Sequence, residues 1–364
     1  MFKREFWRNF DIWLFGAVLF LCIFGLIMIR STIAGNIELA NYVNRQATFL
    51  GIGMAVLFLV TVIDYRNWKS LSRYMYIFIV LFLGVILVIG TTSFGAQRWL
   101  QVGLVNIQPA ELSKIVVILV LAHYFANSIN KPKNLKWMGL SGIIMGGIIL
   151  PIYLQPNLST TIMLAVLWFA MLWISGLPTK YVIVMGILGI IAAIVIFPYL
   201  EGYQQERILT FFQPAEEDFY GNNYNIGQAL ISIGSGGLLG QGYGAATQVQ
   251  LRFLKVRSTD YIFSAIAAEF GFVGTVILIA VLVFVILRCI RAARNASDTY
   301  GALIAYGFAI LIAFQTMVNI GVNLRVIPVT GQTLPFISYG GSSLLSLLLG
   351  IGLIESVLIH RNST

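Results

Sequence analysis

The segment IWLFGAVLFLCIFGLIMI, residues 12–29, contains no charged side chain. An apolar run of about 18 residues is long enough for one helix to cross the ~30 Å hydrocarbon core of a bilayer. Arg30 and a polar segment follow this run. We therefore interpret it as a retained membrane-spanning helix rather than as a cleavable signal peptide.

The composition extends this interpretation to the whole chain. Of the 364 residues, 59% are hydrophobic and only 10% are charged, and the mean hydropathy is +0.88. Soluble domains carry about 25% charged residues, so this chain lies far outside the soluble range. The net charge of +9 would suit nucleic-acid binding, but the basic residues form short clusters between apolar runs, which is how membrane topology is encoded. Cys22 and Cys289 lie in or at the end of apolar runs, which favours small buried side chains over a disulfide framework.

Apolar runs of spanning length recur along the chain and predict ten helices. They cover residues 12–29, 47–63, 74–90, 111–128, 137–154, 158–176, 180–198, 258–288, 299–323 and 338–359. The fifth and sixth runs are separated only by Gln155-Pro156-Asn157, where the proline predicts a break. Without that break the count falls to nine, and the C-terminus changes sides.

The basic residues distinguish between these two counts. With ten spans, most of the 23 Lys and Arg residues lie in short segments on one side, which the positive-inside rule assigns to the cytoplasm. Both termini are then cytoplasmic, and the long hydrophilic segment 199–257 lies outside. The sequence thus predicts an all-α polytopic membrane protein with one large extracytoplasmic loop, forming a single domain over residues 1–364.

The middle of the outer loop, residues 221–244, is almost uncharged and rich in glycine. Its apolar residues predict a short helix that lies in the membrane interface. A flexible linker is the alternative.

Four ionisable residues in or beside the apolar runs are functional candidates, because charge is expensive to keep in a membrane. Glu111 and Lys114 are three residues apart, so they share a helical face and can pair. They serve either as a structural ion pair or as an acid and a cation at the edge of a central cavity. Asp260, where the long loop re-enters the membrane, is either a helix cap or a carboxylate at an outer cavity mouth. Glu269 lies ~13 Å deeper along the helix, and we interpret it as a buried structural acid.

Several cations assigned to the outer side indicate an anionic ligand, because arginine forks suit a phosphate. They are Arg98, Arg207, Arg252, Lys255 and Arg257. Solvated loop charges are the alternative for each of them. His123 and His360 stand alone, without metal-ligand spacing. The sequence has neither a P-loop nor a GxSxG motif, so nucleotide hydrolysis and serine hydrolysis are not supported.

Motifs spread along nearly the whole chain resemble the SEDS family of RodA, FtsW and SpoVE. They are GAQRWL (95–100), QPAELSK (108–114), QPNL (155–158), YN (224–225), IGSGG (233–237), STDYIF (258–263), PVTG (328–331) and LPFISYGGSS (334–343). The last motif alone is highly specific. The chain departs from the family pattern at three positions: Asn157 replaces a frequent Asp, Ser258 a common His and Ala268 a frequent second acid. None of these departures affects Asp260.

The resemblance implies that the protein polymerises lipid II into peptidoglycan glycan strands at the outer face of the bacterial plasma membrane. It implies that Asp260 is the family's essential aspartate, which suits a general base acting on the acceptor hydroxyl. The substrate-binding residues that it suggests are Arg45, Arg98, Trp99, Glu111 and Lys114. Arg45, Arg98, Lys114 and Arg207 are candidates for stabilising the diphosphate leaving group. A divalent cation, Mg or Mn, is compatible with this chemistry, although no motif encodes its binding.

The resemblance also implies a class B penicillin-binding protein as the partner. The absence of long cytoplasmic tails and the general run of the motifs favour a RodA-like role in cell elongation over an FtsW-like role in division. A transporter that flips lipid II and a non-catalytic scaffold are the rival functions. A transporter predicts charged groups on both sides of the membrane midplane, whereas here they concentrate on the outer side.

Overall fold

The computed structural model of the protein describes residues 8–33, 39–89, 91–93, 96–102, 105–130, 133–212 and 224–362. Within these ranges, the side chains of residues 89–107, 203 and 362 are not described. The long helices are α1 (Ile12–Ile33), α2 (Tyr42–Val62), α3 (Tyr65–Ile89), α4 (Pro109–Ala126), α5 (Leu135–Leu154), α6 (Leu158–Ile174), α7 (Thr179–Ile196), α11 (Ile262–Arg294), α12 (Thr299–Asn323) and α13 (Gly341–Ile359). The outer loop forms α8 (Gly202–Phe212), α9 (Tyr224–Ser235) and α10 (Thr247–Gln250).

The prediction of an all-α polytopic membrane protein is confirmed. Over the described part of the chain, nine helices are long and apolar enough to cross a membrane, and α6 is a shorter apolar helix of 17 residues. These ten helices coincide with the ten predicted runs. One feature was not predicted: a small antiparallel meander of β1 (Thr91–Ser93), β2 (Ala96–Val102) and β3 (Val105–Ile107) connects α3 to α4.

The break between the fifth and sixth runs is also confirmed. Helix α5 ends at Leu154 and α6 begins at Leu158. Asn157 is the N-cap of α6, and its side chain accepts a hydrogen bond from the Thr160 amide. Gln155 donates through Nε2 to the carbonyl of Leu83 in α3 at 3.0 Å. Asn157 thus acts as a cap, a role in which Asn and Asp are nearly equivalent.

The two ends of the described chain lie at the same end of the helix bundle. Arg361 donates to the side-chain oxygen of Asn9 at 3.2 Å. Asp11 donates through its backbone amide to Glu355 at 2.9 Å and accepts from Nε of Arg288 at 2.8 Å. An even number of spans requires that both chain ends lie on the same side of the membrane. We call this end the terminal end of the bundle.

Helices α4, α12 and α13 are the most buried of the spanning helices, whereas α7 contributes no buried residue. Helix α13 packs closely on α2, because Gly352 lies where a Cβ atom would be 2.7 Å from the carbonyl oxygen of Leu57. Small residues at such contacts let membrane helices approach each other without a hydrophobic driving force. The bundle is therefore built around α4, α12 and α13, with α7 at its periphery.

The glycine-rich part of the outer loop docks into an interruption of α11. At Gly271 the backbone leaves the helical conformation with a φ of 65°, in the region that favours glycine. The segment 236–242 binds the backbone groups freed by this break. Phe272 donates to Gly237 at 2.9 Å, and Gly242 donates to the carbonyl of Glu269 at 3.0 Å.

The predicted short helix in this loop is confirmed as α9, which buries Ile226 and Ala229. Docking against α11 is not the behaviour of a flexible linker, so that alternative is wrong for residues 224–242. Location in the membrane interface stays a prediction.

Candidate active site

Asp260 lies in the turn before α11, at the end of the bundle opposite the terminal end. Helix α11 begins at Ile262 with Tyr261 as its N-cap, so Asp260 immediately precedes the cap position. Its backbone carbonyl accepts hydrogen bonds from Nδ2 of Asn319 at 3.0 Å and of Asn323 at 2.9 Å. Two amides of α12 thus hold the backbone of Asp260 in place.

The closing motif, residues 328–343, wraps around the segment that carries Asp260. Ser338 donates to the carbonyl of Thr259 at 2.7 Å and accepts from the amide of Leu334 at 2.9 Å. The Tyr339 amide donates to the carbonyl of Ser258 at 2.8 Å. A Cβ atom on Gly331, whose φ is 71°, would lie 3.7 Å from Oδ2 of Asp260. The carboxylate therefore lies beside Gly331, with space for about one methyl group between them.

Helix α2 contributes Arg45 to the same end of the bundle. One turn of this helix contacts the closing motif: Tyr42 stacks on Tyr339 with ring centroids 3.9 Å apart, and Gln46 donates to the carbonyl of Ser338 at 3.2 Å. Burial raises the pKa of Tyr339, and Tyr42 adds to this rise, whereas a side-chain hydrogen bond with Arg45 lowers it. Arg45 is exposed, so its guanidinium is accessible beside a motif that also contacts Asp260.

Glu111 and Lys114 form the predicted ion pair at the start of α4. Nζ of Lys114 lies 2.6 Å from Oε1 of Glu111, and the lysine side chain is 1% exposed. The other carboxylate oxygen of Glu111 is buried without a hydrogen-bond partner. The start of α4, which carries this pair, is bonded to the closing motif. The backbone amide of Gln108, the residue before α4, donates to the hydroxyl of Ser342 at 3.1 Å.

The loop cations divide into exposed and structural groups. Arg207 in α8 is exposed. Burial and the charge of Asp260 raise the pKa of Tyr261, whereas Arg207 lowers it, so Arg207 lies near the turn that carries Asp260.

Arg257 is 7% exposed and donates through Nε to the carbonyl of Thr32 in α1. Its Nη1 donates to the carbonyl of Leu254 at 3.3 Å, and its Nη2 is buried without a hydrogen-bond partner. Arg257 is therefore not a solvated loop charge, and its assignment to an anion-binding cluster stays a prediction. Lys255 lies over the ring of Tyr224 at 5.0 Å.

Arg98 and Trp99 lie in β2, and their side chains fall outside the described part of the structure. Glu269 is buried, as predicted, and accepts from the hydroxyl of Ser31. Across the described residues, no group of three His, Cys, Asp or Glu side chains could hold a metal ion. We assign no residue to a divalent cation.

The polar residues that hold the backbone of the site in place were not predicted from the sequence. Asn319 and Asn323 are four residues apart on α12 and almost fully buried, and Asn319 also donates to the carbonyl of Gln332 at 2.7 Å. The sequence did contain a signal for them: two side-chain amides one turn apart near the end of an apolar helix. Buried polar groups in membranes have specific partners. Gln46 gave a similar signal on α2.

Comparison with known proteins places this arrangement in a family. The family model of FtsW, RodA and SpoVE, described as cell cycle protein, matches residues 12–363. The chain belongs to this family. It is 33% identical to the peptidoglycan glycosyltransferase MrdB of Escherichia coli over 99% of this chain and 96% of that protein. It is 36% identical to a probable peptidoglycan glycosyltransferase FtsW of Thiomicrospira cyclica, over 95% of this chain and 92% of that protein.

Two solved structures share the fold. A chain from a peptidoglycan synthase complex, described as coordinating polymerization and crosslinking, matches with a TM-score of 0.83 and 28% identity over 98% of this chain and 99% of that chain. The rod shape determining protein RodA of Thermus thermophilus matches with a TM-score of 0.73 and 29% identity, over 97% of this chain and 98% of that chain.

Proposed function

We propose that this chain is a peptidoglycan glycosyltransferase that polymerises lipid II, with Asp260 as the general base. The observation that carries the proposal is the fixed position of Asp260, whose backbone is held by Asn319 and Asn323 and whose carboxylate lies beside Gly331. A positioned base must be held within hydrogen-bonding reach of the proton that it removes. The names of the FtsW/RodA/SpoVE relatives support this reaction class.

In the proposed reaction, a hydroxyl of one lipid-linked disaccharide attacks the anomeric carbon of another. The new glycosidic bond forms as the bond from that carbon to the diphosphate oxygen breaks, and the polyprenyl diphosphate leaves with the bonding electrons. Asp260 accepts the proton of the attacking hydroxyl. The reaction therefore needs a carboxylate beside the acceptor and cations beside the leaving diphosphate.

The described cations differ in their suitability for the diphosphate. Arg45 and Arg207 are exposed and lie near the closing motif and the Asp260 turn, so we propose that they contact it directly. Lys114 is buried and bonded to Glu111, so we propose that it holds the start of α4 in position and adds positive potential. Arg98 and Trp99 remain candidates from the family resemblance.

We further propose that the protein lies in the bacterial plasma membrane with both termini cytoplasmic and with Asp260 facing outward. The joint position of the described chain ends and the distribution of basic residues support this orientation. A class B penicillin-binding protein is the proposed partner, supported by the similarity to a synthase complex that coordinates polymerization and crosslinking. We propose a role in elongation, supported by the similarity to RodA and MrdB.

The test is glycan synthesis from lipid II by the purified protein, with products resolved on a gel. We expect the wild type to make glycan strands and Asp260→Asn to lose this activity while remaining folded. Asp64→Asn, which removes a partly exposed carboxylate at the terminal end, is the matched control and should remain active. Absence of polymerisation by the wild type, in the presence of the proposed partner, would contradict the function and favour a transporter.

A further inference from the structure

A cavity of about 630 Å³ lies at the terminal end of the bundle, far from Asp260. It is bounded by the start of α3, the end of α4 and the start of α5. This volume falls in the range of small-molecule sites in proteins, about 300–1,000 Å³. The proposed polymerase reaction gives this cavity no role.

The charge of the cavity has one sign. Among the described residues that line it, Arg73 of α3 and Lys136 of α5 are charged, and none is Asp or Glu. Both side chains are exposed, so they can turn towards a ligand without losing an existing partner carboxylate. The cavity is therefore complementary to an anion.

The cavity is shaped in advance by hydrogen bonds between its walls. Ser72 and Nδ1 of His123 are 2.6 Å apart, which joins α3 to α4. The Tyr124 hydroxyl donates to the Trp137 carbonyl at 2.8 Å, and Nε1 of Trp137 donates to the Ser128 hydroxyl at 2.7 Å, which joins α4 to α5. A site whose walls are held in place loses less entropy when a ligand binds.

The remaining lining is apolar and continues onto the outer surface of the bundle. Val120, Leu140 and Ile144 line the cavity, and the side chain of Leu140 is 48% exposed. Helix α5 is a candidate membrane span of which only 28% is buried inside the protein. An occupant of this cavity would thus meet cations at one end and a lipid-facing apolar surface at the other.

We propose that this cavity binds the phosphate headgroup of an anionic phospholipid from the leaflet at the terminal end. Arg73 and Lys136 contact the phosphate, and an acyl chain follows Leu140 and Ile144 into the bilayer. A soluble phosphate compound shares the headgroup chemistry but gains nothing from the apolar side. The proposal does not depend on the polymerase function, because it concerns binding alone.

The test is native mass spectrometry of the delipidated protein with phosphatidylglycerol, phosphatidylcholine or inorganic phosphate. We expect the wild type to retain one phosphatidylglycerol at least about tenfold more tightly than phosphatidylcholine. Each cation near the membrane surface strengthens binding to anionic lipid by roughly fivefold, so the double variant Arg73→Gln/Lys136→Gln should bind it roughly 25-fold more weakly. The charge-conserving variant Arg73→Lys/Lys136→Arg should keep most of the affinity.

The control is Arg291→Gln/Arg294→Gln, which removes two exposed cations near the end of α11 that do not line the cavity. It should bind phosphatidylglycerol within about twofold of the wild type, since the lost charges lie outside the site. An equal loss in this control would overturn the proposal by showing only a general charge effect. Equal retention of phosphatidylcholine, or cavity-dependent binding of inorganic phosphate alone, would overturn it as well. Thermal unfolding of each variant without lipid measures whether it is folded.

Discussion

Removing one partner of the Glu111–Lys114 pair should destabilise the protein strongly. Lys114→Met leaves the carboxylate of Glu111 in a site where its partner is 1% exposed and where its second oxygen already lacks a hydrogen bond. Breaking a buried ion pair in this way costs about 3–5 kcal/mol. Glu111→Gln should cost a similar amount, because it leaves the Lys114 ammonium buried.

The charge-swapped double variant Glu111→Lys/Lys114→Glu should recover most of this loss. The recovery stays incomplete because Glu111 lies in the first turn of α4, where a negative charge is favoured over a positive one by about 0.3–1 kcal/mol. We therefore expect the double variant to be about 2–4 kcal/mol more stable than either single swap, whereas additive effects would make it less stable than both.

The assay is unfolding of the purified proteins in mixed micelles. The free energy of unfolding is measured for the wild type, the two single variants and the double variant, which together form a double-mutant cycle. Asp64 and Arg66 provide the matched control, because their side chains are 29% and 30% exposed and lie 3.8 Å apart. A partly exposed pair of this kind should show a coupling below about 1 kcal/mol. Strictly additive effects at Glu111 and Lys114 would refute the reasoning, since they would mean that the two charges do not interact.

Three further predictions concern the site and the topology. Asp260→Asn should lower the rate of glycan synthesis by about 10²–10⁴-fold at matched amounts of folded protein, and near-equal rates would remove Asp260 from the mechanism. Gly341→Leu should reduce the folded protein in the membrane, because even a Cβ atom would overlap the ring of Phe49. Phe49→Ala should partly restore it, and unchanged abundance with lost activity would instead indicate a catalytic role for the closing motif. A cysteine at position 206 should react with an impermeant thiol reagent on intact cells, and one at position 133 should not. Both native cysteines are buried, so they should contribute little background labelling. The reverse pattern would overturn the topology.

The membrane-spanning architecture could be predicted from the sequence because the bilayer acts on each segment separately. A helix satisfies its own backbone hydrogen bonds, so an apolar run of sufficient length predicts a span without knowledge of its neighbours. This explains why the runs at 12–29 and 299–323 match α1 and α12. Likewise, the spacing of Glu111 and Lys114 within one helix was sufficient to predict their contact.

The contacts between distant segments could not be predicted in this way. The residues next to Arg257 in the sequence do not indicate that its side chain is buried, and its bond to the carbonyl of Thr32 in α1 is a contact that only the folded chain makes. The site around Asp260 depends on bonds to Asn323 and on the neighbouring Gly331, more than 60 residues further along the chain. No local pattern encodes these partners.

The sequence by itself therefore determined the membrane class, the number of spans, the break at Pro156 and the candidate base. The tertiary structure decided which cations are exposed and which are buried, how the glycine-rich loop closes the gap in α11, and what holds Asp260 in place. The physical reason is that hydropathy and helical spacing are properties of one segment. The hydrogen bonds to a turn such as the one at Asp260 come instead from other helices. Packing of the bundle decides which helices these are.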